Sequence, residues 1–345
     1  MSDFKKLGVA EVAENLREWA SSGKSMMIIS HRSPDGDTLG SGFALKIMYE
    51  AMGGTARCTC KSEGAPFLRF LYYGQEEIYY TEDLEKEFDK VISIDVASVS
   101  QLGGIIADTS VIDMQIDHHE LGEVYADNLV DGKRSAAGEI VYDIYEYLQS
   151  KGYIGVIPQA ALRMYAALSA DSGSFKFSNT TETTHKIAGK LISEMKTEGI
   201  EHSQIGRILH DSFSIESLKA RKMAIENLKT RLDGKIAYVV ITNKSLEENG
   251  LTEEHTGAIV DIPRSVDTAL VAFALKQHSE NDTEYRIQSR SSCDIDVAAI
   301  CANFGGGGHR KAAGGRIVAE TPEMAEKIVA EMFEKYVLAY IEENK

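Results

Sequence analysis

Short strand patterns alternate with helical patterns over roughly the first 175 residues, and this alternation restricts the folds open to the chain. Strands are predicted at 25–30, 55–60, 90–97 and 113–119, and helices at 38–52, 136–150 and 158–170. The strands at 90–97 and 113–119 are largely apolar, as in a sheet that is covered on both faces. Because parallel neighbours need a crossover connection, usually a helix, the pattern predicts a doubly wound, mostly parallel α/β sheet.

The second half of the chain returns to strand patterns after a charged connecting segment. The pattern is helical and charged from about 182 to 231, and Gly234 follows as a natural helix stop. Strands are then predicted at 235–242, 268–275 and 284–291, with a last helix near 322–343. We therefore predict a first, catalytic domain over 1–200, a helical linker over 201–232 and a smaller α/β domain over 233–345.

The composition is that of a globular protein without a membrane segment. Apolar residues make up 43% of the 345 residues, and no apolar run approaches the length of about 18 residues that indicates a membrane-spanning helix. The N-terminal segment has the pattern of an amphipathic helix and lacks the apolar core of a signal peptide. We therefore expect a cytoplasmic protein whose four cysteines, which contain no C-x-x-C pair, are reduced thiols.

The net charge of −16 argues against a broad basic face that clamps long nucleic acid, because such binding depends on many phosphate contacts. Any anionic substrate should therefore be short. One segment departs from the acidic balance: between Tyr285 and Arg316, five basic side chains stand against two acidic ones. The basic residues are Arg286, Arg290, Arg310, Lys311 and Arg316.

Potential metal ligands follow the predicted strands of the first domain. The turn HRSPDGD carries His31, Asp35 and Asp37, and further candidates stand at strand or helix ends: Asp95, Asp117, His118, His119 and Asp171. Each aspartate taken alone has an ordinary explanation as a helix cap or turn residue. Together they fall on one predicted sheet edge, since ligands of open parallel sheets bind at the carboxyl ends of the strands.

Charge balance favours a metal centre at this edge. Four ionised carboxylates in one crevice would repel each other strongly, and two divalent cations would neutralise them. Oxygen and imidazole donors suit manganese or magnesium better than zinc held by thiolates. Two such ions, about 3.5 to 4 Å apart, activate water for phosphoryl hydrolysis. Hydrolysis of a phosphate ester is therefore the leading chemistry.

The same residues resemble the motifs of the DHH phosphoesterase superfamily, with Asp117-His118-His119 as the triplet that gives the superfamily its name. HRSPDGDTLGS, SIDVA and ADSGSFKFSNTT resemble its other motifs, and FGGGGHRKAAGG at 304–315 resembles the glycine-rich element of the DHH-associated C-terminal domain. The closest resemblance is to the NrnA group, which hydrolyses short oligoribonucleotides and 3'-phosphoadenosine 5'-phosphate (PAP). Lys176 departs from the arginine frequent in that group and lacks its bidentate geometry.

The resemblance implies two manganese ions, with magnesium or cobalt as substitutes. It places His31, Asp35 and Asp95 on one ion and Asp37, Asp95, His118 and Asp171 on the other, with Asp95 as the bridge. Asp95, His118 and His119 are the implied catalytic residues, with His119 contacting the substrate phosphate or protonating the leaving oxygen. Asp117 is expected behind them, orienting a histidine.

Substrate binding is assigned to the second domain and to a cleft between the domains. Strand periodicity places Arg286 and Arg290 on one face, and the position of Arg290 matches the substrate-binding arginine of the family. The glycine run lets backbone amides approach a phosphate closely. The expected substrate-binding residues are His119, Arg290, Gly306, Gly307, Gly308, His309 and Arg310.

Other functions stay open. The nearest alternative is hydrolysis of the dinucleotide pApA or of cyclic di-AMP. An inorganic pyrophosphatase is disfavoured by the GGGGH element, a processive RecJ-type exonuclease by length and acidity, and an inactive nucleotide sensor by the complete ligand set. Short single-stranded RNA, dinucleotides and PAP are the expected substrates, without a membrane or long duplex as partner, and a homodimer stays open.

Overall fold

The computed structural model describes residues 4–61, 64–72, 74, 77–79, 84–104, 106, 108–120, 122–278 and 281–344. The chain divides into two units, Met1–Ser212 and Phe213–Lys345. This division falls inside the segment 201–232 that the sequence predicts as a linker. Ile205 packs in the core of the first unit, whereas Ala220 and Met223 pack in a core of the second.

Within the described residues, six parallel strands form the sheet of the first unit. They are β1 (Ser25–Ile29), β2 (Thr55–Cys60), β3 (Glu77–Tyr79), β4 (Lys90–Ile94), β5 (Met114–Asp117) and β6 (Asn128–Val130). Their spatial order is β3-β2-β1-β4-β5-β6, so the direction of winding reverses at β1. Such a reversal leaves a crevice at the carboxyl ends of the two strands that meet there, β1 and β4. The predicted parallel, doubly wound sheet is confirmed.

The two faces of this sheet are covered in different ways. One face packs against helices α1 (Val9–Ser21), α2 (Gly36–Ala51), α3 (Ala137–Ser150), α4 (Pro158–Asp171) and α5 (Glu182–Met195), and α6 (His202–Gly206) follows. On the other face, Leu102 and Ile112 pack against Met27 and Ile29. Leu102 ends a short 3₁₀ helix in the β4–β5 connection, and the described residues of this crossover contain no α-helix.

Small residues bring α2 and α4 into close contact. A Cβ atom on Gly36 would lie 2.6 Å from Cβ of Ala170, and a Cβ atom on Gly40 would lie 2.5 Å from the carbonyl oxygen of Arg163. Because any side chain at these positions would push the helices apart, the two glycines set the distance between the start of α2 and the end of α4. Asp37 and Asp171 occupy those two helix ends.

In the described part of the second unit, six strands form a mixed sheet in the order β11-β12-β10-β9-β8-β7. They are β7 (Lys229–Arg231), β8 (Ile236–Ile241), β9 (Val271–His278), β10 (Asn281–Ser291), β11 (Gly307–His309) and β12 (Ala312–Val318). Strands β8 and β9 are parallel, and the other neighbours are antiparallel. The helical prediction up to residue 231 is wrong at its end, where β7 pairs with β8.

Helices cover both faces of this second sheet. They are α7 (Ile215–Glu226), α8 (Asn243–Glu248), α9 (Asp261–Arg264), α10 (Val297–Ala302) and α11 (Pro322–Glu343). Phe333 of α11 stacks on Phe273 of β9 with ring centroids 4.6 Å apart. On the opposite face, Met223 of α7 packs with Val239 of β8. The predicted smaller α/β domain is therefore present. None of the helices in the described segments is long and apolar enough to cross a membrane.

Candidate metal centre

The predicted ligands of the first unit lie at the carboxyl edge of its sheet. His31 comes two residues after β1 ends, Asp95 directly follows β4, and Asp117 is the last residue of β5, followed by His118 and His119. The remaining candidates lie on helix ends near this edge: Asp35 and Asp37 at the start of α2, and Asp171 at the end of α4. The strand order thus gathers side chains that are distant in sequence.

These side chains form groups with the spacing of metal ligands. His31, Asp35 and Asp95 offer ligand atoms within 4.8 Å of one another, and so do Asp37, His118 and Asp171. Asp95, His118 and His119 form a third such group, which overlaps the others. In the second group, Nε2 of His118 lies 3.2 Å from Oδ2 of Asp171 and 3.6 Å from Oδ2 of Asp37. The structure therefore brings together all the ligands that the sequence analysis expected for two ions.

Asp95 stands between the first two groups. Its Oδ2 atom lies 3.9 Å from Nε2 of His31, and its Oδ1 atom lies 3.5 Å from Nε2 of His118. The backbone of Asp95 adopts φ = +56°, a left-handed conformation that is unfavourable for a residue with a side chain. Such strain persists where the surrounding structure imposes it, and it clusters at functional sites. One buried carboxylate thus presents an oxygen to each group.

The two aspartates of the HRSPDGD turn are fixed by backbone amides. Oδ1 of Asp35 caps α2 by accepting hydrogen bonds from the amides of Asp37 (3.0 Å) and Thr38 (3.1 Å), while its Oδ2 atom lies 3.6 Å from His31. The carboxylate of Asp37 accepts hydrogen bonds from the amides of Ala137 (2.6 Å) and Gly138 (3.0 Å) at the start of α3. Capping of α2 uses Oδ1 of Asp35, so it leaves Oδ2 available to a cation.

Both histidines of the DHH triplet are oriented through Nδ1. Nδ1 of His118 lies 3.2 Å from the carbonyl oxygen of Arg134, which fixes the ring so that Nε2 meets the aspartates. Nδ1 of His119 lies 2.7 Å from Oδ1 of buried Asp117, which also accepts a hydrogen bond from the amide of His118. Partners of this kind set the tautomer and the orientation of the ring. The expected supporting role of Asp117 agrees with this geometry.

Sequence reasoning missed several residues that hold the cluster in place. The Arg134 guanidinium forms ion pairs with Asp131, Asp143 and Glu139, which anchor the segment whose carbonyl contacts His118. Asn179 donates hydrogen bonds from Nδ2 to the carbonyl oxygens of Asp171 (3.1 Å) and Ser135 (3.0 Å). Asn179 belongs to the FSNTT motif, so its place in that motif was the available signal.

The electrostatics of the cluster are those of crowded, buried carboxylates. Burial and the nearby charge of Asp171 raise the pKa of Asp37 to about 7, and burial together with Asp37 raises the pKa of Asp95 well above its ordinary value. Burial by itself would lower the pKa of His118, but the nearby carboxylates of Asp171 and Asp95 raise it to about 12. The cluster therefore carries more negative than positive charge. Protons bound to its carboxyl and imidazole groups offset part of this imbalance.

The donor set fits divalent cations. Oδ1 of Asp95 and Nε2 of His118 are buried and have no hydrogen-bond partner in the part of the chain that the structure describes. Leaving such atoms without a partner costs about 1–3 kcal/mol each, and a cation between them would satisfy both. Carboxylate oxygens and imidazole nitrogens are ligands for manganese or magnesium. The cluster can therefore hold metal ions.

Apart from His119, which lies in the first unit, the predicted substrate-binding residues lie on β10 and on or beside β11 of the second unit. Arg290 is half-buried at the end of β10, and its Nη1 atom donates to the Ser289 carbonyl oxygen at 2.9 Å. Gly307, Gly308 and His309 form β11, and Arg310 bonds to the carbonyl oxygen of Asp294 at 2.9 Å. Gly306 is held so tightly that a Cβ atom there would lie 1.9 Å from the Gly314 carbonyl oxygen.

The chain thus combines a parallel α/β unit that carries a histidine–aspartate metal-type centre with a mixed-sheet α/β unit. Residues 25–168 match the DHH family, N-terminal domain, and residues 233–337 match the DHHA1 domain. The two matches together cover most of the chain, which carries a DHH N-terminal domain followed by a DHHA1 domain. The resemblance drawn from the sequence motifs is confirmed.

Similar proteins extend over nearly the same length. A probable bifunctional oligoribonuclease and PAP phosphatase NrnA from Streptococcus mutans is 29% identical over 84% of this chain and 88% of its own. A protein of the same kind from Bacillus subtilis is 27% identical, over 88% of this chain and 93% of its own. The structure of an exopolyphosphatase-related protein from Bacteroides fragilis has a TM-score of 0.82 and 22% identity, over 95% of this chain and 96% of that one. This last likeness supports the fold.

Proposed function

We propose that this protein is a manganese-dependent phosphodiesterase that hydrolyses short oligoribonucleotides to mononucleotides and removes the 3'-phosphate from PAP. The observation that carries the proposal is the position of Asp95, whose two carboxylate oxygens face two separate groups of ligands. A carboxylate shared in this way is what a pair of ions in one phosphoryl-transfer site requires. The bifunctional oligoribonucleases and PAP phosphatases among the relatives support the same substrates.

The residues divide between the ions as the two groups suggest. His31, Asp35 and Asp95 would hold one ion, and Asp37, Asp95, His118 and Asp171 would hold the other. When bound, two divalent ions supply Lewis-acid activation of water and stabilise the charge that develops on the phosphate. The amides of Ala137 and Gly138 hold Asp37 in place, so the ligand geometry exists before the ions arrive.

The Asp117–His119 pair supplies the proton that the reaction needs. Water attacks phosphorus, the bond from phosphorus to the leaving sugar oxygen breaks, and that oxygen takes up a proton. His119 is half-buried beside the cluster, and Asp117 orients its ring. A general acid placed in this way contributes about 10² to 10⁴ in rate. The same proton transfer serves a phosphodiester and the 3'-phosphate of PAP.

Recognition of the rest of the substrate falls to the second unit. Arg290, the glycine run Gly306–Gly308, His309 and Arg310 form one edge of its sheet, where basic groups and bare backbone amides lie close together. Such an edge suits a phosphate or a ribose. Because the whole chain carries a net charge of −16, a short substrate that needs few phosphate contacts fits it better than a long one.

The test is a substrate panel with added manganese: di- to pentaribonucleotides, PAP, pApA, cyclic di-AMP and pyrophosphate. We expect mononucleotides from the oligoribonucleotides and AMP from PAP. The variant Asp95→Asn serves as the control for contaminating nucleases and should be inactive. Turnover of pyrophosphate or cyclic di-AMP alone, or no hydrolysis of any phosphodiester and of PAP, would contradict the proposal. Release of AMP from pApA is expected as a case of dinucleotide hydrolysis.

A further inference from the structure

A second polar site lies in the second unit, and it shares Gly306 with the substrate-binding residues that the sequence analysis selected. A cavity of about 310 Å³ opens on its sheet, lined by side chains from three adjacent strands: Lys276 of β9, Arg286 and Gln288 of β10, and Arg316 of β12. Its floor includes Gly306 and Gly314. We call this cavity the basic pocket. Its volume is near the lower end of the range, about 300–1,000 Å³, that holds small ligands.

The strand register places three cations side by side. Arg286 is the direct partner of Lys276 on one neighbouring strand and of Arg316 on the other. Directly paired residues of a sheet lie on the same face, where like charges destabilise the pairing. Two carboxylates partly compensate, since Glu253 accepts from Arg286 at 2.9 Å and Glu284 from Arg316 at 3.1 Å. One positive charge among these five groups is left without a counter-charge.

Among the described residues, no carboxylate forms an ion pair with Lys276. Lys276 is only 6% exposed, and its Nζ atom donates a hydrogen bond of 3.4 Å to the Thr256 carbonyl oxygen. Burial accordingly lowers the pKa of Lys276. A buried ammonium is costly unless a charged group pairs with it. An anion in the basic pocket would fill that role.

Two further atoms of the pocket are ready for a ligand. Nε of Arg286 and Oε1 of Gln288 are buried, and neither has a hydrogen-bond partner among the described residues. One is a donor and the other an acceptor, and they belong to alternate residues on the same face of β10. A ligand that satisfied both would need an acceptor and a donor of its own in addition to its negative charge.

Glycines keep the floor of the pocket open. Gly314 pairs directly with Gln288, and a Cβ atom at Gly314 would lie 3.0 Å from the Ile287 carbonyl oxygen. A side chain there would take up the space between Gln288 and Arg316. The bare backbone leaves room for a flat group, such as a nucleobase, beside the three cations.

We infer that the basic pocket binds one nucleotide of the oligoribonucleotide substrate other than the one being cleaved. Lys276, Arg286 and Arg316 hold its phosphate, and Arg286 Nε and Gln288 Oε1 meet the polar edge of its base. This inference rests on the proposed function. Arg286 precedes Arg290 by four residues on one strand, about 13 Å at about 3.3 Å per residue, so the pocket is a second anchor on the same face. PAP, with a single nucleoside, uses one anchor, whereas longer substrates use both.

The test compares substrate lengths in variants of the full chain. Arg316→Gln alters the most exposed of the three cations, and Lys276→Met removes the buried one. Lys229→Gln is the matched control, because Lys229 lies in the same sheet and also pairs with a glutamate (Glu326, 2.7 Å) but does not line the pocket. With 5'-phosphorylated tetra-adenylate we expect each pocket variant to raise KM about tenfold at unchanged kcat. Hydrolysis of PAP should be unchanged.

Binding measured in EDTA separates this inference from the proposed function. The anisotropy of 3'-labelled, 5'-phosphorylated tetra-adenylate reports affinity without any turnover. If the wild type binds the probe and both pocket variants bind it more weakly, the inference about the pocket is supported even if no substrate is hydrolysed. If hydrolysis is normal and affinity stays within twofold of the wild type in Arg316→Gln, the inference is wrong. If Lys276→Met does not fold, Arg316→Gln decides alone. If free AMP competed with the probe as strongly as unlabelled tetranucleotide does, the ligand of the pocket would be a free nucleotide. That result would overturn the inference that the pocket binds part of the substrate.

Discussion

The acidic cluster of the first unit and the basic pocket of the second are built on the same kind of element, a strand of a sheet, but they are supported differently. The cluster gathers side chains beyond the strand ends and holds them with backbone amides and buried partners such as Asp117. In the basic pocket, the side chains of Arg286 and Arg316 stand at the surface of a sheet and are 40% and 62% exposed. Fixed ligands suit chemistry and adaptable cations suit recognition, so changes in the first should reduce kcat and changes in the second should raise KM.

The largest effect is expected for Asp95→Asn. The change keeps the shape of the side chain but removes the charge that both ligand groups share, so kcat should fall about a thousandfold or more. Because one of several repelling carboxylates is lost, the melting temperature in EDTA should not fall. Steady-state kinetics and thermal melting measure the two effects, with the exposed Asp267→Asn as the control. Near-normal turnover by Asp95→Asn would contradict the assignment of catalysis to the first unit and of substrate binding to the second.

The second expected effect is a pH-dependent stability that metal reverses. The pKa values of Asp37 and His118 are raised to about 7 and about 12, from ordinary values of 3.8 and 6.5. Both groups therefore bind more protons in the folded state than in the unfolded state, so the free energy of unfolding falls as pH rises. In EDTA we expect the melting temperature to fall by on the order of 5 °C between pH 5 and pH 8.

Manganese should remove this loss, because the ions take the place of the protons. The stabilisation by manganese, measured as the difference in melting temperature from EDTA, should thus be larger at pH 8 than at pH 5. Asp37→Asn should flatten the EDTA profile. A metal-free protein that gained stability from pH 5 to pH 8 would contradict the electrostatic account of the cluster.

The metal centre was predictable from sequence because its ligands follow strands that have clear patterns. β1, β4 and β5 are largely apolar. His31 and Asp95 follow the first two and Asp117 ends the third, so all three could be placed on one edge. The supports of these ligands could not be predicted in the same way. The Arg134 carbonyl and the amides of Ala137 and Gly138 are backbone groups, which every residue type carries, and only the fold shows which of them meet a ligand.

Short or edge elements escaped prediction for a related reason. β3, β6 and β11 have three residues each, too few for a periodicity, and β7 was assigned to a helix because its charged residues continue the pattern of α7. The basic pocket depends on register as well. Lys276 and Arg286 are ten residues apart in sequence, and only the pairing of β9 with β10 shows that they are neighbours.

A smaller effect is expected where helix packing sets the ligand geometry. Gly40→Ala places a Cβ atom 2.5 Å from the Arg163 carbonyl oxygen, and such overpacking costs about 1–3 kcal/mol of the free energy of unfolding. Because α4 must shift, Asp171 moves and the manganese concentration for half-maximal activity should rise. Gly189→Ala is the matched control: its Cβ atom meets nothing within 4 Å on α5, so it should stabilise by about 0.5–1 kcal/mol. If both variants changed the manganese requirement equally, the contact between α2 and α4 would not determine the geometry of the ligands.

The smallest effect is expected for Arg290→Ala, and it tests the other side of the comparison. Arg290 lies on the same face of β10 as Arg286, and burial lowers its pKa, so its charge has little water around it and gains from a phosphate partner. An interaction made equally in the ground state and the transition state changes KM alone, so we expect KM for a dinucleotide to rise about tenfold at constant kcat. Manganese affinity should be unchanged, and Lys327→Ala, on the exposed face of α11, is the control. If Arg290→Ala lowered kcat as much as it raised KM, the second unit would take part in the chemical step, and the two regions could not be assigned to chemistry and recognition separately.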